Sequence, residues 1–100
     1  MRLSEREIDA IRRAAREHFG QDVRVWLFGS RIDDTLKGGD IDLLVETTQP
    51  LADRLMRAAR MNAALQLTIG EQRIDVLTVD PAVTPQPIHM NARKQGIQLL

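Results

Sequence analysis

The fold is decided by the stretch Phe28-Gly29-Ser30-Arg31-Ile32-Asp33-Asp34-Thr35-Leu36-Lys37-Gly38-Gly39-Asp40-Ile41-Asp42-Leu43-Leu44-Val45. Its second half alternates as a β-strand does, with Ile41, Leu43 and Val45 on one face and Asp40 and Asp42 on the other. Because successive side chains of a strand leave opposite faces, two aspartates two positions apart leave the same face. The pattern therefore predicts two carboxylates close together at one end of a strand.

These two carboxylates predict a metal site. Asp40 and Asp42 repel each other, and no Lys or Arg lies beside them within the strand. A divalent cation resolves this repulsion, and oxygen ligands of this kind suit Mg²⁺. Asp75 is the candidate third ligand because a charged residue between the apolar Ile74 and Val76 is costly to bury unless it has a partner. If its strand lies beside the strand of Asp40 and Asp42, the three carboxylates can hold two metal ions. A solvated strand face is the alternative.

The glycine and serine that follow the apolar residues 23–28 predict a phosphate cradle. Residues 23–28 are rich in strand formers, and a short helical turn is predicted at residues 32–36. Gly29 lets a phosphate approach the backbone, and the start of a helical turn offers free N–H groups. Ser30 adds a hydroxyl donor and Arg31 adds positive charge. A simple turn is the alternative reading of the same two residues.

The rest of the chain predicts helices around a small sheet. Ser4 and Glu7 form a capping-box pattern, and the helix that they open is predicted to stop at Gly20. A second helix is predicted from Pro50 to Gly70, with a stripe at Leu51, Leu55, Ala58, Ala59, Asn62 and Leu65. Residues 73–79 predict a third strand, and residues 88–95 predict a last helix. The order α-β-α-β-α-β-α predicts an α+β fold with a small mixed sheet and flanking helices.

Four other side chains are predicted to be structural. Trp26 shares a strand face with Phe28, and packing is favoured over stacking on a base. Met56 and Met61 are predicted to pack within the protein. His89 lies near a helix start, where a structural or solvated role is favoured over metal binding.

Length and composition set the broad class. The 100 residues suit one domain spanning residues 1–100, and 43% hydrophobic with 28% charged residues is typical of a soluble globular protein. A formal net charge of zero argues against direct nucleic-acid binding driven by charge. The absence of cysteine excludes disulfides and thiolate metal sites. No signal peptide or membrane-spanning run is predicted, so a cytoplasmic location is expected.

The order of these motifs resembles the nucleotidyltransferase superfamily that includes DNA polymerase β, in its smallest form. The shared pattern is Gly-Ser, then Asp-x-Asp on a strand, then a later lone Asp, and it covers nearly the whole chain. The chain looks most like the minimal nucleotidyltransferases encoded beside HEPN ribonuclease toxins. By this resemblance the triphosphate is bound by Gly29 and Ser30, and metal is bound by Asp40, Asp42 and Asp75. A departure from the pattern is Gly39, where the family often has Ser.

The resemblance implies a reaction and a partner. The expected activity is Mg²⁺-dependent transfer of AMP from ATP to a hydroxyl, a tyrosine, of a HEPN toxin, which makes this chain the antitoxin. Two ions and a complex with the toxin are implied. One alternative is an inactive antitoxin that neutralises the toxin by stoichiometric binding. Another is transfer to a small molecule such as an aminoglycoside. The acceptor, the number of AMP units, the nucleotide preference and the stoichiometry stay open.

Overall fold

The computed structural model describes residues 3–29, 40–70, 72–82 and 86–100. Within these ranges the elements are α1 (Glu5–Phe19), β1 (Arg24–Phe28), β2 (Ile41–Glu46), α2 (Arg54–Ile69), β3 (Ile74–Val79), α3 (Pro87–Gln95) and β4 (Ile97–Gln98). The predicted α+β fold with a small mixed sheet is confirmed. The helical turn predicted at residues 32–36 lies outside the described residues. None of the helices in these ranges is long and apolar enough to cross a membrane.

The strands form one mixed sheet in the order β3-β2-β1-β4. β1 pairs antiparallel with both β2 and β4, whereas β2 and β3 run parallel. β4 was not predicted, because a strand of two residues is too short to show an alternating pattern. It adds to the free edge of β1, where Trp26 pairs with Gln98 and Leu27 pairs with Ile97.

The start and end of α1 follow the predicted signals. The Ser4 hydroxyl accepts a hydrogen bond from the Glu7 N–H (3.1 Å), and the Ser4 N–H donates to the Glu7 carboxylate (3.0 Å). Gly20 ends the helix with φ at 98°, and its N–H donates to the Arg16 carbonyl. The buried face of the helix comprises Ala10, Ile11, Ala14, Ala15 and Phe19. This apolar face places α1 against the sheet.

The start of α2 differs from the prediction. The helix begins at Arg54 instead of Pro50, because the chain first passes through a turn tied to β3. In that turn the Leu51 N–H donates to the buried Asp80 carboxylate (2.9 Å), and Leu51 packs against the core. Leu55 and Met56 are therefore left 70% and 55% exposed in the first helical turn, so their predicted packing is wrong. Further along, Ala58, Met61 and Leu65 are buried as predicted.

The two faces of the sheet are covered differently. On one face α1 and α2 cover a core that contains every second residue of the strands, with Val25, Leu27, Ile41, Leu43 and Val45 fully buried. On the opposite face a smaller cluster joins Trp26, Leu44 and Val79 to Ala92 of α3. Because Asp42 is two residues from Leu44, it lies on this second face.

Two of the side chains predicted to be structural lie on this second side. Trp26 is buried within the α3 cluster, which confirms the prediction that it packs. His89 is buried as well, and its Nδ1 accepts a hydrogen bond from the Gln86 N–H (3.1 Å). This bond closes the first turn of α3, and together with the burial of the side chain it agrees with a structural role for His89.

Candidate functional site

Strand pairing places three of the residues of interest in one row. Phe28 of β1 is paired with Asp42 of β2, and Asp42 is paired with Asp75 of β3. The strand of Asp75 therefore lies beside that of Asp42, which is the condition for Asp75 to join the site. The neighbouring row is apolar, with Trp26, Leu44 and Leu77 side by side. The row that contains the two aspartates therefore lies at one end of the α3 face of the sheet.

The carboxyl groups of Asp42 and Asp75 form a close pair. Burial raises the pKa of Asp42 above its ordinary value of 3.8. The pKa is raised further by a hydrogen bond shared with Asp75 and by the negative charges of Asp75 and Asp40. Asp42 is half-buried, whereas Asp75 is exposed. Asp42 therefore holds a proton more readily than an isolated carboxylate does, unless a cation replaces that proton.

Asp40 lies immediately before β2 and is half-buried. The strand begins next to it, where the Ile41 N–H donates to the Arg73 carbonyl (2.8 Å). The negative charge of Asp40 contributes to the raised pKa of Asp42. In the described part of the chain, no three His, Cys, Asp or Glu side chains are grouped so as to hold a metal ion. The described geometry thus supplies a close pair of carboxylates with a third charge nearby, and the three-ligand site stays a prediction.

Gly29 lies directly against this pair. Its φ of +78° is in the left-handed region, and a Cβ added to it would collide with the Asp42 Oδ2. Only glycine lets the backbone pass so close to the carboxylate while keeping this conformation. The predicted phosphate-binding glycine and the predicted metal ligand are therefore neighbours. Ser30 and Arg31, the other predicted members of the cradle, lie outside the described residues.

Within the described part of the chain, no ion pair brings an Arg or Lys to these carboxylates. Across residues 3–29, 40–70, 72–82 and 86–100, the ion pairs join Arg57 to Asp53 and Arg93 to Glu46. No ion pair in these ranges reaches Asp40, Asp42 or Asp75. Carboxylates that lie together, with no Arg or Lys of the described residues paired to them, fit a hard divalent cation, because such ions take carboxylate oxygens as ligands. The donor set at this end of the sheet therefore suits Mg²⁺.

A cavity of about 360 Å³ opens beside Gly29, between the end of β1 and α3. The described residues that line it are Phe28, Gly29, Ile88, Asn91, Ala92 and Gln95. The sequence analysis did not single out these helix residues. The available signal was their spacing, because positions 88, 91, 92 and 95 share one face of a helix. That face combines apolar and amide side chains next to the glycine of the candidate site.

Comparison with known protein families gives one match. The family model described as nucleotidyltransferase domain matches residues 8–97. The chain belongs to the nucleotidyltransferase domain family. No individual curated protein matches the chain. The match runs from α1 to β4, so it includes the strands that carry Asp42 and Asp75. Membership in this polymerase β-like superfamily makes the chain a transferase of nucleotidyl groups.

The close carboxylates of this nucleotidyltransferase predict a stability effect in the absence of metal. Since the pKa of Asp42 is raised in the folded state, its protonated form stabilises folding below the unfolded value near 3.8. This contribution is lost as the pH rises through the folded-state pKa. With metal chelated, Asp42→Asn is therefore expected to melt at a higher temperature than the wild type at neutral pH. Melting curves recorded from about pH 3.5 to about pH 7 measure the difference.

The acidic end of the same melting curves serves as a control. At the acidic end the two proteins are expected to melt together, because Asp42 is protonated in both folded and unfolded states. Glu46 lies on the same strand and forms an ion pair with Arg93, which Glu46→Gln removes. This variant should therefore show no gain in melting temperature at neutral pH. A wild type more stable than Asp42→Asn at neutral pH would contradict the carboxylate repulsion.

Proposed function

We propose that this nucleotidyltransferase carries out Mg²⁺-dependent transfer of AMP from ATP to a hydroxyl group of a partner protein. The observation that carries this proposal is the close pair of Asp42 and Asp75 on adjacent parallel strands, with Gly29 against it. Carboxylates that share a divalent cation and a glycine that exposes backbone are the parts that phosphate chemistry needs.

Asp42 and Asp75 would hold the metal, and Asp40 would complete a site for two ions. Bound there, Mg²⁺ supplies Lewis-acid polarisation of the phosphate oxygens and offsets the charge of the carboxylates. The acceptor oxygen forms a bond to the α-phosphorus and releases its proton to solvent. The bond from the α-phosphorus to the oxygen that bridges to the β-phosphate breaks, so pyrophosphate leaves. Gly29 leaves room for the phosphates beside the carboxylates.

The proposed acceptor is a HEPN-type ribonuclease toxin, modified on a tyrosine, with the chain acting as its cytoplasmic antitoxin. The resemblance to minimal nucleotidyltransferases encoded beside such toxins supports this choice. The surface also supports a protein partner, because α2 exposes large apolar side chains. Leu67 is 90% exposed, and Leu55 and Met56 lie in the first turn of the same helix. No direct binding of nucleic acid is part of the proposal.

The proposal is tested with purified components. The HEPN-type toxin proposed as the partner is incubated with the transferase, Mg²⁺ and ATP labelled on either the α- or the γ-phosphate. Label is expected on the toxin from the α-position alone, since pyrophosphate carries the γ-label away. Replacement of the acceptor tyrosine by phenylalanine in the toxin should abolish it. Label from the γ-position would show phosphate transfer, and no label from either position would contradict the proposed reaction.

A second candidate function is neutralisation of the toxin by binding alone. The exposed apolar residues of α2 favour it, because they can contact a partner whether or not transfer occurs. Protection of toxin-expressing cells separates the two candidates. Protection that is lost in Asp42→Ala supports transfer, whereas protection retained in Asp42→Ala together with a stable complex supports binding.

A further inference from the structure

The cavity between β1 and α3 has the chemistry of a site for a flat ring. Phe28 supplies a half-buried aromatic side chain and Ile88 an apolar one that is 50% exposed. Asn91 and Gln95 supply amide groups one helical turn apart. Among the described residues neither amide side chain has a hydrogen-bond partner. An apolar cleft with a few polar groups is the usual form of a small-molecule site.

Among the residues that the structure describes, the lining of the cavity offers no cation to a phosphate. The six described residues that line it are all uncharged. A triphosphate is strongly negative and needs cations or metal, and the carboxylate row offers a metal site outside the cavity. A neutral heteroaromatic ring needs what the cavity offers, namely an aromatic contact and amides that can donate and accept along the edge of the ring.

The position of the cavity connects it to the transfer site. Gly29 lines the cavity and also lies against the Asp42 carboxylate. Phe28, which lines it too, is paired with Asp42 across the strands. A molecule whose phosphates lie at the carboxylates therefore has the cavity within reach of its other end. The volume of about 360 Å³ is within the usual range for a small-ligand pocket.

We infer that this cavity takes the base of the nucleotide, with Asn91 and Gln95 reading the edge of the base and Phe28 packing against its ring. The inference rests on the proposed function, because it assumes that a nucleoside triphosphate is the substrate. By this inference, residues of α3 determine which nucleotide is bound. Asn91 and Gln95 are specificity-determining residues in this arrangement, since they contact the base and stay away from the reacting phosphorus.

The inference is tested by comparing ATP with inorganic tripolyphosphate, which has the phosphates and lacks the base. Calorimetry in Mg²⁺ measures the dissociation constants for wild type, Asn91→Ala and Gln95→Ala. Each variant is expected to bind ATP about three- to tenfold more weakly, the effect of one lost hydrogen bond, and to bind tripolyphosphate as the wild type does. Gln98→Ala is the matched control, because Gln98 lies on β4 and does not line the cavity.

Spectroscopy gives a second measurement that does not depend on variants. In a nitrogen–proton correlation spectrum, the side-chain amide signals of Asn91 and Gln95 are expected to shift with ATP and to stay in place with tripolyphosphate. The amide of Asn62, which donates to the Ile74 carbonyl (2.7 Å), is the internal reference. Discrimination among ATP, GTP, CTP and UTP should also shrink in Gln95→Ala.

The outcomes separate this inference from the proposed function. In one outcome the wild type binds ATP and tripolyphosphate, and the α3 variants bind both ligands more weakly by the same factor. That result would overturn the base site and leave the proposed function standing. Unchanged ATP binding in Asn91→Ala and Gln95→Ala would also overturn it. Wild type that binds neither probe in Mg²⁺ would remove both proposals.

Discussion

Asp42→Ala is expected to reduce nucleotide transfer by about 1,000-fold or more. Asp42 stands at the centre of the candidate site, since it is paired with Asp75 on one side and with Phe28 on the other. Its Oδ2 also faces the backbone of Gly29. Removing the carboxylate takes away a proposed metal ligand and leaves Asp75 without its neighbour. No other carboxylate on β2 is adjacent to both Asp75 and Gly29.

Initial rates of label transfer from α-labelled ATP measure this loss, with Asp42→Asn as a second variant that keeps the shape of the side chain. The matched control is Glu46→Gln, which removes a carboxylate from the same strand and the same face, four residues away. Glu46 pairs with Arg93 at the opposite end of the sheet, so its loss should leave the rate nearly unchanged. Transfer by Asp42→Asn at the wild-type rate would refute the proposed site.

Local sequence signals predicted most of the fold because each acts within a few residues. The capping box of Ser4 and Glu7 and the stop at Gly20 bound α1 as expected. The alternation around Asp42 predicted the face of β2 that carries the carboxylates. The start of α2 was wrong because it depends on a distant contact. The hydrogen bond from the Leu51 N–H to the Asp80 carboxylate crosses 29 positions, and no local pattern records it.

For the candidate site too, local sequence patterns were predictive, whereas features that depend on distant contacts were not. Asp42 was predicted as a site residue because it shares a strand face with Asp40, and Asp75 because it interrupts an apolar strand. Their pairing became visible only once the two strands were placed side by side. The collision that an alanine at Gly29 would cause was not predictable, since it depends on how β1 meets β2 in space. The cavity required the position of α3 over the sheet. Asn91 and Gln95 are ordinary exposed polar residues until that helix is placed beside Phe28.

Gly29→Ala is expected to lower transfer about 100-fold, the size of effect that a displacement of about 1 Å in an active site can cause. The added methyl group meets the Asp42 Oδ2, so either the carboxylate or the backbone of residue 29 must move. The φ of +78° adds strain of about 1 to 3 kcal/mol for a residue with a Cβ. Transfer rates and melting temperatures measured on one preparation report both effects.

Gly20→Ala separates the strain from the collision. Gly20 also has a positive φ, 98°, but a Cβ there would meet nothing within 4 Å. Its replacement should therefore cost a similar amount of stability, again about 1 to 3 kcal/mol, while transfer continues at the wild-type rate. If the two variants lose equal stability and only Gly29→Ala loses transfer, the defect comes from the contact with Asp42. Equal loss of transfer in both would instead attribute the effect to general destabilisation, and Gly29 would have no special place in the site.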